Sequence, residues 1–123
     1  MRLGGDIAER LLELAAGALR VSGELPSHPS GRHVALQLAR AATAGGANYE
    51  EARAAESRSD FIHKVGIACK EVRETAYWLK VIKRAGWKTT ELEGLLSEAH
   101  QLAAILSASA RTARANIRRE ASP

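Results

Sequence analysis

Residues Thr43–Ala52 read TAGGANYEEA, and the two adjacent glycines decide how the longest proline-free stretch of the chain is understood. The prolines are Pro26, Pro29 and Pro123, so residues 30–122 are open to helix. The residues around the glycines are Ala, Leu, Arg and Glu, which favour helix. Gly45–Gly46 therefore has three readings: a loop that cradles phosphate, a hinge, or a point where helices press together. A phosphate loop follows a strand and carries a Lys at fixed spacing. No strand pattern occurs anywhere, and no Lys follows these glycines at that spacing. Val34, Leu38, Ala41, Gly45, Asn48 and Ala52 step by 4, 3, 4, 3 and 4, a heptad-like seam that passes the glycines without losing phase. The pair thus belongs to a helix. Glycine costs about 1 kcal/mol relative to Ala there, and close approach of a neighbouring helix is what would offset it.

Working outward, the pattern predicts four helices, over residues 7–21, 32–56, 60–85 and 91–117. In the first, Ile7, Leu11, Leu14 and Ala18 share a face that Leu12 and Leu19 widen, and Asp6 with Glu9 makes a capping-box start. The stretch SGELPSHPSG is the linker to the second helix, with Ser30 as its cap. Ser57 caps the third, which carries Phe61, Val65, Ala68, Val72, Ala76, Leu79 and Ile82 and ends at Gly86. Thr90 with Glu93 starts the fourth, whose stripe runs from Leu92 through Leu106 to Ala113. Short links between long helices force antiparallel neighbours. The fold class is all-α, an antiparallel up-and-down four-helix bundle in one domain over residues 1–123. The first helix is the shortest, which leaves part of the core uncovered and favours self-association.

The chain has 123 residues and a net charge of +4. Residues 1–61 carry 7 basic and 8 acidic side chains, residues 62–123 carry 11 and 6. Two stretches are basic without an acid: one holds Lys80, Lys83, Arg84 and Lys88, the other Arg111, Arg114, Arg118 and Arg119. Such clusters attract polyanions, and cations near helix C-termini also suit the dipole. Absence of a long apolar run excludes a membrane span, and the N-terminus has no apolar stretch of a signal peptide. The single cysteine, Cys69, suits a reducing compartment, so a cytoplasmic protein is expected. The histidines at 28, 33, 63 and 100 form no metal-ligand spacing, no Glu-x-x-His occurs, and neither a cofactor nor a metal is expected.

Four polar residues break the apolar pattern. Asn48 lies on the seam, Arg40 lies near it, and Glu71 and Glu74 lie beside the stripe of the third helix. They read either as a buried network that sets register or as a polar site. A turn centred on residue 58 brings Gly45 opposite Glu71, Asn48 opposite Ala68 and Ala41 opposite Thr75.

GANYEEA (46–52), DFIHK (60–64) and CKEVRETAYWLK (69–80), with LPSHPSG and ALQLARAAT before them, resemble the four-helix-bundle proteins encoded by intervening sequences in bacterial 23S rRNA genes. The likeness spans residues 7–106. It implies an up-and-down bundle that assembles into ring-like homopentamers. It also implies a relation to the accessory variability determinant of diversity-generating retroelements, which binds a reverse transcriptase and nucleic acid through a basic surface. No catalytic residue carries over. The family has a larger apolar residue where Gly45 stands.

The function expected is therefore a non-enzymatic homo-oligomeric scaffold that binds RNA or DNA and serves as accessory to a nucleic-acid enzyme. Phosphate contacts fall to the eight cations at 80, 83, 84, 88, 111, 114, 118 and 119. The alternative is a protein–protein adaptor, or structural oligomer, without a nucleic-acid role. Its surface would be exposed aromatics such as Trp87 or the Ala-rich sides of the second and fourth helices.

Overall fold

The computed structural model describes residues 4–121. They form four helices: α1 (Gly5–Glu24), α2 (Pro29–Arg53), α3 (Arg58–Ala85) and α4 (Leu92–Ala121). Each helix packs on its neighbours around a ring, α1 on α2 and α4, α3 on α2 and α4. The result is the expected antiparallel bundle.

Local chemistry starts and stops the helices. Ser57 Oγ accepts the Asp60 N–H at 3.0 Å and opens α3. Gly86 closes it in the left-handed region at φ 77°, where glycine carries no Cβ penalty. The other expected caps differ. Gly4, at φ 82°, precedes α1 with no side-chain cap, and Asp6 lies in the first turn, where its charge suits the dipole. His28 caps α2 in place of Ser30: its Nδ1 accepts the Gly31 N–H at 3.1 Å, and Pro29 takes the first helical position. The Thr90 hydroxyl donates instead to Glu24 at 3.0 Å, and the Thr90 N–H bonds the same carboxylate at 3.1 Å, which ties the α3–α4 turn to the end of α1.

The core follows the predicted stripes. Leu11, Leu14, Ala18 and Val21 of α1 meet Val34, Leu38 and Ala42 of α2. Val65, Ala68, Val72, Ala76, Leu79 and Ile82 of α3 join Ala99, Leu102, Leu106 and Ala110 of α4 in the same cluster. Two seam expectations fail. Asn48 is only half-buried, and Tyr49, 7% exposed, takes the inward position. A straight α-helix turns 3.6 residues per turn, so a 3.5 repeat drifts by about 20° per heptad. By the second heptad that drift carries position 49 inward and 48 out. Leu12 and Leu19 do not widen the α1 core face either, being 61% and 51% exposed.

The glycine pair lies inside α2 as expected, but its two members serve different neighbours. A Cβ on Gly45 would sit 3.0 Å from Val72 Cγ2 and 3.8 Å from the Ala68 carbonyl oxygen, so this glycine faces α3. Its opposite residue is Val72 rather than Glu71. A Cβ on Gly46 would sit 3.7 Å from Leu11 Cβ, so this one faces α1 at ordinary contact distance. Gly46→Ala should therefore gain helix propensity without a clash. The expected result is a stabilisation of about 0.5–1 kcal/mol, read as a rise of a few degrees in the melting temperature. A fall would mean that α1 sits closer to α2 than this spacing.

Ion pairs hold α1 against the first third of α4. Arg10 donates to Glu98 through Nε at 2.8 Å and Nη2 at 2.7 Å, and to Gln101 at 3.2 Å. Arg20 donates to Glu91 at 2.7 and 2.9 Å. These hydrogen bonds hold the Glu98 and Glu91 carboxyls below the usual carboxylate range, with burial opposing. A depressed carboxylate stabilises the fold above its unfolded pKa, near 4.3, and loses that contribution as pH falls through the folded value. The melting temperature should be flat above that range and fall below it. Glu98→Gln should make the acid limb shallower; an unchanged limb would show that this pair carries none of it. At 20 residues α1 is about 30 Å long against about 45 Å for the 30-residue α4. The far third of α4 therefore runs past α1, beside α3.

Candidate nucleic-acid interface

The eight nominated cations do not form one patch. α3 and α4 are antiparallel, so Lys80, Lys83, Arg84 and Lys88 sit at the turn between them. Arg111, Arg114, Arg118 and Arg119 sit at the opposite end, about 30 Å away along α4. Lys83 pairs with Glu93 at 3.0 Å. Arg111 donates to Ser107 at 2.8 Å, and Arg119 donates to Asn116. Among the described residues, Lys80, Arg84, Lys88, Arg111 and Arg114 form no ion pair.

Arg114 lies in a groove that the sequence reading missed. Two adjoining hollows between α3 and α4 share Gly66, Lys70 and Arg114. One extends to Ser59 and His63, the other to Arg73 and Ser107. Lys70 and Arg73 escaped notice because KEVRE (70–74) is neutral along the chain. Around a helix it is not neutral. Residues three apart share a side, and residues one apart differ by about 100°. Lys70 and Arg73 line the hollow toward α4 and Glu71 turns toward α2, while Glu74, one turn on from Lys70, stands between the two sides, bonded to Arg40 and within the field of Lys70. The spacing of the two cations was the available signal. The floor of the groove includes Cys69, a buried thiol that donates to the Ala103 carbonyl at 3.5 Å.

The proposed polar network exists in part, and it lies at the surface. Arg40 Nη1 is 3.3 Å from Glu71 Oε1, and Nη2 pairs with Glu74 Oε2. The Arg40 side chain is 45% exposed, so this is a clamp on the rim of the α2–α3 contact, not a buried register device. Trp78 Nε1 donates to the same Glu74 oxygen at 3.1 Å. Hydrogen bonds from Arg40 and then Trp78 hold the Glu74 carboxyl below its usual range. Asn48 takes no part: its Nδ2 donates to the Ala44 carbonyl of its own helix at 2.9 Å. The same helical drift that brings Tyr49 inward removes Asn48 from α3. Exposed ion pairs of this kind contribute little to stability, typically below about 1 kcal/mol.

Trp87, expected as an exposed contact residue, is half-buried against the core and edge-on to His28 at 5.7 Å. The exposed aromatic is Tyr77, at 57%. Apolar exposure gathers elsewhere too. Ala8, Leu11, Leu12 and Ala15 of α1 line a groove with Gly46 and Ala47 of α2, rimmed by Asp6, Glu9 and Glu50. Among the described residues no helix is long and apolar enough to cross a membrane, and no three His, Cys, Asp or Glu side chains converge as metal ligands.

Comparison with known proteins agrees with the four-helix fold. A crystal structure of a protein of unknown function from the S23 ribosomal protein family of Bacteroides thetaiotaomicron superposes with a TM-score of 0.77. The two are 31% identical over 85% of this chain and 97% of that one. A comparison with curated proteins found no match. The profile of the 23S rRNA-intervening sequence proteins matches residues 6–108, nearly the whole described bundle, and the chain belongs to that family.

Proposed function

We propose that this protein is a non-enzymatic, cytoplasmic, homo-oligomeric scaffold that binds nucleic acid through the basic surface of α3 and α4, as an accessory to an enzyme acting on that nucleic acid. The observation that carries the reading is the uneven neutralisation of charge. Carboxylates of α2, α3 and α4 are engaged in pairs such as Lys64–Glu51, Arg40–Glu74 and Arg10–Glu98. Of the cations of the α3–α4 groove and turn, Lys83 pairs with Glu93, while Lys70, Arg73, Lys80, Arg84, Lys88 and Arg114 form no ion pair among the described residues. A surface of unneutralised Lys and Arg binds phosphate backbones with little sequence preference. Binding of labelled RNA and DNA should be detectable at low salt, and the logarithm of affinity should fall linearly with the logarithm of salt concentration. Absence of binding at low salt would remove the proposal.

Self-association is supported by the apolar α1–α2 groove and by the length of α4 that α1 does not cover. The family resemblance suggests a pentamer. Light scattering should then return five times the 13.2 kDa chain mass, and a monomer would contradict it. The same groove also favours the second reading, a protein adaptor without a nucleic-acid role. A partner retained after nuclease treatment, together with no oligonucleotide binding, would favour that reading.

A further inference from the structure

The two basic clusters that lie at opposite ends of the bundle are joined along the outer face of α3. His63, Lys70, Arg73, Tyr77, Lys80 and Arg84 follow one another at intervals of 7, 3, 4, 3 and 4 residues, and all six are exposed. Residues at these intervals share one side of a helix, with a slow drift. Gly66 fills the open step, with free space where a Cβ would stand. The stripe covers about 32 Å at 1.5 Å per residue. Between positions 63 and 84 the only acids are Glu71 and Glu74; both are bonded to Arg40 on the α2 side, and Glu74, one turn from Lys70, also borders the stripe. None of the stripe's lysines and arginines forms an ion pair among the described residues.

Tyr77 stands in the middle of this charge. Its ring meets Trp78 edge-on at 5.0 Å, and Trp78 is itself held by His33 at 5.8 Å and by its bond to Glu74. The tyrosine is thus braced on one side and open to solvent on the other. Cations flank it in both directions, Lys70 and Arg73 before it, Lys80 and Arg84 after it.

We infer that the outer face of α3 is a track for single-stranded nucleic acid, on which the flanking cations hold phosphates and Tyr77 stacks one base. This rests on the nucleic-acid reading above and adds the strand state and the place of contact. A basic track with an interposed aromatic ring is the arrangement that favours single strands, because every unpaired base offers a face for stacking. In a duplex the bases are covered by their neighbours, and a ring on a convex helix surface reaches none of them.

The test uses labelled oligothymidine and oligouridine and a duplex of the same length, with affinities read by fluorescence anisotropy at low salt. The single strands should bind more tightly than the duplex. Tyr77→Ala should weaken single-strand binding about tenfold, leave duplex binding unchanged, and leave the thermal melt near that of the parent because the side chain is exposed. Tyr77→Phe should retain the affinity. Arg73→Ala should weaken both forms and lower the salt slope by about one unit. Equal single-strand affinity in Tyr77→Ala, or a preference for duplex, overturns the track while leaving nucleic-acid binding intact. Failure of all three probes to bind overturns both.

Discussion

Gly45→Leu should destabilise the bundle by about 3 kcal/mol, at the upper end of the usual cost of overpacking a core. The Cβ alone would come within 3.0 Å of Val72 Cγ2, which is tighter than a normal contact. Val72 has no room to yield, since it is fully buried and its own helix backbone lies behind it: the Val72 nitrogen is 3.9 Å from the same point. Three further carbons would have to enter that seam, pushing α2 from α3. The gain in helix propensity, about 0.8 kcal/mol, has the opposite sign and is smaller. Urea unfolding monitored by circular dichroism measures the difference, and a variant more stable than the parent would refute close packing at this point. The opposite expectation for Gly46→Ala makes the pair a sharp test. Two adjacent glycines in one helix should respond with opposite signs, because they face different helices at different distances.

Gly31→Ala is the second large effect. A Cβ there would lie 1.9 Å from the Pro26 carbonyl oxygen and 2.8 Å from its carbon. These are backbone atoms, so no rotamer change relieves the overlap, and the Leu25–His28 link must move. Movement would draw His28 off the Gly31 N–H, removing the cap of α2, and off Trp87. Overpacking of roughly 2 kcal/mol and a cap of roughly 1 kcal/mol give a loss of about 3 kcal/mol. His28→Ala, which removes the cap without the clash, should cost only the smaller part. If the two variants melt alike, the link is more yielding than its geometry indicates. Read along the chain, Gly31 is one more small residue in a Pro- and Ser-rich linker. Its importance appears only when the Pro26 carbonyl is seen to fold back over it.

The candidate interface was half-visible in the same sense. Lys80, Arg84 and Lys88 are legible in the chain because residues 78–88 hold no acid. Lys70 and Arg73 were hidden by Glu71 and Glu74, which the helix rotates toward Arg40 on α2. Along the chain Tyr77 is part of the family pattern, and Trp87 is the expected exposed ring. Trp87 follows the left-handed turn at Gly86, and that turn directs it back to His28 and the core.

Four helices, the Ser57 cap, the Gly86 stop and the main apolar stripes are consequences of spacing within single segments. Periodicity and capping act over three or four residues, so they are present in the chain before any helix meets another. Which side of a helix faces which neighbour is different. It depends on drift accumulated over several turns and on where small residues let backbones approach. Tyr49 replaces Asn48 in the core for the first reason. Gly45 serves α3 and Gly46 serves α1 for the second. The same rotation puts Lys70 and Arg73 of KEVRE along the groove and bonds Glu71 and Glu74 to Arg40, an arrangement that no linear sum of charge contains.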